Sequence, residues 1–247
     1  MAYRIFIDPG HGGKDSGAVG NGLKEKDLTL EISKMIRQYL LDNYTNIEVR
    51  LSREFDAFLD LADRAEKANT WGADIFVSVH INSGGGTGFE SFIHINANTD
   101  AVKLQGHIHN EVIKATAFTN RGMKRANFAV LRLSKMPAIL TENGFIDNIN
   151  DANKLKNKDF LQAIAVAHAE GIAKYFGLQK KEEKIMGKLF KDVPDNHWAI
   201  KDIEWAKNVG LMKGYDDGTF GLGKNITREE LAVVLHRLYE KFIGGNK

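Results

Sequence analysis

The chain has no cysteine among its 247 residues. That excludes disulfides and thiolate metal ligands, and it leaves the redox compartment unreadable. No apolar run is long enough to span a bilayer. After Met1-Ala2-Tyr3-Arg4 the sequence enters a short strand-like run and a glycine-rich turn. It lacks there the longer apolar stretch and small-residue cleavage site of a secretory signal. This reads as a protein made in the cytoplasm that leaves by another route, or as one whose signal was removed. The net charge is only +2, so no strong attraction to nucleic acid is implied. What is present is an ordinary globular composition. The hydrophobic fraction of 43% can build a real core. The length suits one large domain, or a medium domain with a small one.

Short β-like runs alternate with helical patterns over the first three quarters, which predicts an α/β fold. Strands are expected at Tyr3–Asp8, Ile47–Arg53, Asp74–Asn82, Phe89–Ile95, Ala129–Leu133 and Ala138–Glu142. Helices are expected at Lys26–Asn43, Phe58–Thr70, Ala101–Ala117 and Phe160–Tyr175, which together with the strands make a first domain over 1–176. Residues 177–188 contain the charged run Lys180-Lys181-Glu182-Glu183-Lys184 and read as a linker that could be helical. Residues 189–247 hold two helical patterns, Ala199–Val209 and Arg228–Phe242, around a turn-rich loop. Two helices are marginal for a free-standing core, so this part is expected to need a partner surface.

Two histidines follow apolar runs: His11 in Ile7-Asp8-Pro9-Gly10-His11-Gly12-Gly13, and His80 at the end of Asp74–Asn82. Glu25 opens a helix between them, and Glu142 follows a third apolar run. Ligands of open α/β sheets gather at the carboxyl ends of strands, so residues far apart in sequence can converge there. Two imidazoles and one carboxylate suit a catalytic zinc with one position open. A further carboxylate suits the base that activates water. The residues also fit plainer roles. A histidine after a strand is commonly a hydrogen-bonded structural residue, and Gly10–Gly13 could cradle a phosphate, although its spacing matches neither the dinucleotide fingerprint nor the P-loop. His94, His107, His109, His168, His197 and His236 read as structural or surface residues.

The series resembles the zinc-dependent N-acetylmuramoyl-L-alanine amidases of bacterial sporulation, cell division and phage lysis. The resemblance runs from residue 3 to about 176. It includes the Asp8–Gly13 and Gly22–Leu28 segments, Leu51-Ser52-Arg53, Arg64, Ala73–Ser83 and Pro137–Phe145. It implies a mixed β-sheet flanked by helices, zinc bound by His11, Glu25 and His80, and Glu142 as the catalytic carboxylate. It also implies peptidoglycan as substrate, cut between N-acetylmuramic acid and L-alanine. Asn82 and Ser83 could contact substrate, orient ligands or cap the strand. Arg53 and Arg64 could meet stem-peptide carboxylates, or tie the core together.

The C-terminal part resembles an S-layer homology module, through Phe190–Pro194, His197-Trp198-Ala199, Gly210–Tyr215, Asp217–Phe220 and Ile226–Leu231. Only one copy is present, and Gly221-Leu222-Gly223 stands where a proline-containing stretch is usual. The resemblance implies binding to a secondary cell-wall polysaccharide. Arg228 could pair with a glycan carboxylate or brace its helix, and Trp198 could be a sugar platform or core. The combined reading is a wall hydrolase with a wall-binding tail that self-associates, an endolysin or a trimmed autolysin, with no nucleic-acid or membrane partner. The competing readings are a wall-anchored protein with a spent amidase domain, a zinc peptidase cutting within the stem peptide, and a glycosidase.

Overall fold

The computed structural model describes residues 2–181 and 189–243. The first unit begins with β1 (Tyr3–Pro9), the two-residue strands β2 (Val19–Gly20) and β3 (Leu23–Lys24), and α1 (Glu25–Asn43). Then come β4 (Ile47–Leu51), α2 (Leu61–Trp71), β5 (Ile75–Asn82), β6 (Phe89–Ile93) and α3 (Thr99–Ala115). It closes with β7 (Asn120–Arg125), α4 (Ala129–Leu133), β8 (Ala138–Phe145), α5 (Ile149–Leu155) and α6 (Lys158–Phe176). Six strands form one sheet in the order β4-β1-β5-β8-β6-β7. The first four are parallel, β6 runs antiparallel to β8, and β7 runs parallel to β6. The sheet is therefore mixed and flanked by helices.

The order follows from burial. Ile75 to Val79 of β5 are all buried, as a continuous Ile/Phe/Val run demands when both faces are covered. On one face α1, α3 and α6 pack Leu28, Ile32, Ile36, Leu104, Ile108 and Ile164 against Ile5, Val77 and Ile139. On the other face α2 and α4 bring Ala68, Val130 and Leu131 against Phe6, Phe76 and Leu140. The Asn21-Gly22 turn between β2 and β3 has positive φ at both residues, as a tight hairpin requires.

Two expectations change. Ala129–Leu133 is helix α4, not a strand. A five-residue apolar run fits either state by pattern, and its Ala and Leu content favours the helix. The sixth strand is instead Asn120–Arg125, a polar edge strand without apolar alternation. The expected linker start also moves. Residues 177–181 belong with the first compact unit, 1–181, where Lys180 bridges to Tyr44 and its ammonium meets Glu170 at 2.9 Å. The rest of the charged run, Glu182-Glu183-Lys184, lies outside the described residues.

The second unit spans 182–247. Its helices are α7 (Ile200–Asn208) and α8 (Arg228–Leu238), the latter followed by a π-helical turn Tyr239–Ile243. A small core of Leu189, Phe190, Val193 and Ile203 is held by Asp192, whose carboxylate accepts the backbone N–H groups of Phe220, Gly221 and Leu222. Thr227 and Glu230 form a capping box at the start of α8. No side chain of α8 is buried.

Candidate active site

The carboxyl ends of β1 and β5 and the first turn of α1 deliver His11, His80 and Glu25 to one point. His11 Nε2 lies 3.1 Å and His80 Nδ1 2.9 Å from the same oxygen, Glu25 Oε1. Among the described residues these three form a group whose ligand atoms lie within 4.8 Å of one another. The rings meet edge to face at 4.9 Å. Glu25 is further held by the backbone N–H groups of Ala18 and Ile81. Burial opposes its ionisation, but the bonds from His11 and His80 outweigh this and hold its carboxyl far below the usual range. Burial likewise disfavours the His11 cation, yet Glu25 and Asp15 push its pKa up to about 8. Protons tie the three groups together, and a dication binding there would displace those protons. The donor set therefore fits a metal ion.

Close packing makes room for the cluster. A Cβ on Gly10 would stand 2.4 Å from the His80 ring, and one on Gly17 would stand 2.5 Å from Glu25 Oε2. Neither position admits a side chain. Asp15 Oδ2 bonds His11 Nδ1 at 2.8 Å, which leaves Nε2 to face Glu25. Asp15 is absent from the sequence-derived set, although its place four residues after His11 was a signal for it.

His11 itself sits at φ 60, a conformation that costs a non-glycine residue about 1–3 kcal/mol and needs support. Arg53 and Arg64 supply it. Arg64 donates to Asp8 Oδ1 at 2.8 Å and to the carbonyls of Pro9 and His11 at 2.7 Å each. Arg53 donates to the carbonyls of Pro9, Gly10 and Lys26 and to Thr29 Oγ1. The two side chains are 4% and 2% exposed, in that order. Their guanidinium groups thus grip the loop that carries His11, which is the core-tying role the sequence left open for them, and Arg64 also lines the cleft. Asp8 is fully buried. Burial raises its pKa, but Arg64 and the bond from Ser52 more than offset this and hold it below the usual carboxylate range.

Glu142 comes from β8, where it pairs directly with His80 of β5 on one side and Glu90 of β6 on the other. Directly opposed residues share a sheet face, so His80, Glu142 and Glu90 form a row. Glu142 Oε2 is buried without a hydrogen-bond partner among the described residues. Burial pushes its pKa up to about 7, against the pull of His80. Glu142 lines the same cleft as His11, Glu25 and His80, about 380 Å³ in volume, together with Phe58, Leu61 and Phe128. Asn143 donates from Nδ2 to the carbonyl of His80 at 3.1 Å, tying β8 to the ligand strand.

Asn82 and Ser83 also line this cleft. Asn82 Oδ1 accepts the Ser83 N–H, which caps the strand, and Asn82 Nδ2 donates to Glu90 at 2.7 Å. Glu90 is held in turn by Arg121 and Lys124 of β7. The sequence pattern placed Glu90 on an expected strand without singling it out, and it missed Arg121 and Lys124 because β7 itself has no apolar alternation. His168 and His109 are buried and bonded to Thr141 and to Ser91 and Asn120. In the second unit Trp198 is 87% exposed and so contributes no core. Arg228 is exposed on the first turn of α8, whose cap is made by Thr227.

Comparison with known proteins extends these findings. Residues 5–174 match the family of N-acetylmuramoyl-L-alanine amidases called Amidase_3, and residues 189–232 match the S-layer homology domain. A sporulation-specific N-acetylmuramoyl-L-alanine amidase of Bacillus subtilis is 54% identical over 177 residues, 72% of this chain and 69% of the relative. The endolysin of Bacillus phage SPP1 is 40% identical over 247 aligned residues, covering 92% of this chain and 90% of its own. Among solved structures, the catalytic domain of CwlV, an amidase from Bacillus (Paenibacillus) polymyxa, superposes with a TM-score of 0.68 at 34% identity, covering 72% of this chain and 99% of that one. An amidase of Clostridium difficile 630 gives 0.69 at 35% identity, over 71% and 97%. The chain belongs to the N-acetylmuramoyl-L-alanine amidase family and carries an S-layer homology domain at its C-terminal end.

Proposed function

We propose that the chain hydrolyses the amide between the lactyl group of N-acetylmuramic acid and the L-alanine of the peptidoglycan stem, with zinc held by His11, Glu25 and His80 and with Glu142 as the base. The carrying observation is the convergence of two imidazoles and a carboxylate beside a buried, unpaired carboxylate oxygen. Zinc bound by these donors would polarise the scissile carbonyl and acidify water.

The remaining chemistry falls to the chain. Glu142 Oε2 takes the proton of the attacking water and delivers it to the leaving nitrogen of L-alanine. Its elevated pKa suits both directions near neutral pH. Asp15 keeps His11 Nε2 turned toward the site. Arg53 and Arg64 hold the backbone of the His11 loop. Phe58, Leu61 and Phe128 give the cleft an apolar lining that strengthens electrostatic interactions within it.

The second unit is proposed to bind a secondary cell-wall polysaccharide and to concentrate the enzyme at its substrate. Exposed Trp198 offers a face for a sugar ring and exposed Arg228 a partner for a glycan carboxylate. Self-association through this unit is proposed as well, since Leu231, Val233 and Leu235 of α8 are all exposed. The site of action is proposed to be the bacterial wall, where peptidoglycan and its secondary polysaccharides lie. No helix among the described residues is long and apolar enough to cross a membrane.

Digestion of purified walls tests the reaction. New L-alanine amino ends with no new reducing sugar ends are expected. Other new amines would indicate a stem-peptide peptidase, and reducing ends a glycosidase. Metal analysis tests the ligands: one zinc per chain is expected, and full occupancy in His80→Ala would remove His80 from the set.

A further inference from the structure

The row of residues across the sheet does not stop at Glu90. Lys124 of β7 pairs directly with Phe92 of β6, two residues beyond Glu90 and on the same face. Phe92 packs against Phe128, which lines the catalytic cleft. Arg121 and Lys124 both bond Glu90 Oε2. Two cations thus meet one carboxylate, and the row ends with a net positive charge on the side of Glu142 away from His80.

Glu90 occupies only part of their capacity. Arg121 uses Nε for Glu90, and its guanidinium lies over the Phe145 ring at 4.7 Å, which fixes its plane. Among the described residues its terminal Nη groups have no hydrogen-bond partner, and the side chain is 34% exposed. The Lys124 side chain is 39% exposed. Glu90, with its side chain 6% exposed, anchors both cations without presenting its own charge to solvent.

We propose that Arg121 and Lys124 form a carboxylate-binding subsite for the stem peptide, which directs the amine side of the scissile bond toward β7. This rests on the amidase reading above. In that substrate the residue after L-alanine carries an α-carboxyl group that is free in some walls and amidated in others. Its carboxyl carbon lies five bonds from the scissile nitrogen, about 6 Å in an extended chain. Glu142 and the cations of β7 are two strand spacings apart, about 10 Å. A peptide whose scissile bond faces Glu142 therefore brings that carboxylate within reach of long Arg and Lys side chains. An α-carboxamide presents no charge, so the subsite discriminates between the two chemotypes. The planar guanidinium suits two-point recognition of a carboxylate, with Lys124 adding a point charge.

The test uses the full chain, loaded with zinc, on two soluble muropeptides that differ only in a free or amidated α-carboxyl at the second stem residue. The wild type is expected to cleave the free acid with a kcat/KM about tenfold higher, carried by KM, as one charge-assisted contact gives. In Arg121→Gln and Lys124→Gln this ratio should fall toward one. Arg121→Lys, which keeps charge but loses the fork, should retain part of it. Equal rates for the wild type on both substrates would overturn the subsite while leaving the amidase reading intact. So would an unchanged ratio in both glutamine variants. Cleavage of neither muropeptide by zinc-loaded wild type would instead overturn the amidase reading, and the subsite with it. The wild-type comparison decides the matter even if a variant fails to fold.

Discussion

Replacing Arg64 with methionine should destabilise the first unit severely and weaken metal binding, because the side chain is spent on Asp8 and on the backbone carbonyls of Leu59, Pro9 and His11. Arg64 is 2% exposed, and its partner Asp8 is fully buried. The substitution leaves the Asp8 carboxylate with only the hydroxyls of Ser52 and Ser78. Breaking a buried ion pair from one side costs about 3–5 kcal/mol. For a unit of this size that lowers Tm by roughly 10 °C. The carbonyls of Pro9 and His11 lose their donor at the same time. The left-handed His11 conformation then loses support, and zinc affinity should fall about tenfold or more, as for other groups that orient a ligand.

The assay is thermal and denaturant unfolding of wild type, Arg64→Met, Asp8→Asn and the double variant, with competitive zinc titration. The double variant should be less unstable than the sum of the singles, since both charges leave together. The pH dependence has a defined sign. The pKa of Asp8 is depressed in the folded state. Its contribution is therefore present above the unfolded carboxylate pKa and lost as pH falls through the folded value, so the gap between wild type and Arg64→Met should close in acid. An Arg64→Met protein with wild-type stability and zinc affinity but a raised KM would refute this reasoning and return Arg64 to the substrate.

Glu142→Gln should keep its zinc and lose about 10²–10⁴-fold in turnover, because an amide of similar shape cannot accept the water's proton; near-normal turnover would remove Glu142 as the base. Asp15→Asn should bind zinc about 10–100-fold more weakly with little change in Tm, as isothermal titration and unfolding would show together. His168 is buried, and that burial lowers its pKa to about 4 from 6.5. The unfolded chain binds the proton more readily, so stability is full above pH 6.5 and falls with acidification toward 4. At pH 5 the loss attributable to His168 is about 2 kcal/mol, and it should vanish in a folded His168→Gln variant. A chain ending at Lys181 should cleave soluble muropeptides as well as the full chain does, but cleave whole walls more slowly and sediment as a monomer. Equal wall binding by both forms, with both monomeric, would leave the second unit without the proposed roles.

Much of the site was legible in the residues because its chemistry is written at the ends of strongly patterned elements. The Ile5–Asp8, Ile75–Val79 and Ile139–Thr141 runs are apolar enough to be buried strands wherever they occur. The residues that follow them are therefore carried to one sheet edge. The ligand set and Glu142 could be named on that local ground, and the family resemblance gave them roles. Strand β7 was not legible, since an edge strand open to solvent needs no apolar alternation, and its Asn-Arg-Gly-Met-Lys-Arg run shows none. With β7 went Arg121 and Lys124, whose meaning depends on lying beside Glu90.

The two arginines mark the same boundary from the other direction. Sequence alone established that positive charge stands at 53 and 64, and it offered His11, His80, Glu25 and Glu142 as a candidate metal-hydrolase set beside plainer structural roles. Only the tertiary structure decided which way each charge points. The turn after β1 leaves the carbonyls of Pro9, Gly10 and His11 without strand partners at a buried edge, and unpaired buried carbonyls are costly. Arg53 and Arg64 satisfy them from within. On β7 two cations remain half-open, because one buried carboxylate cannot neutralise both.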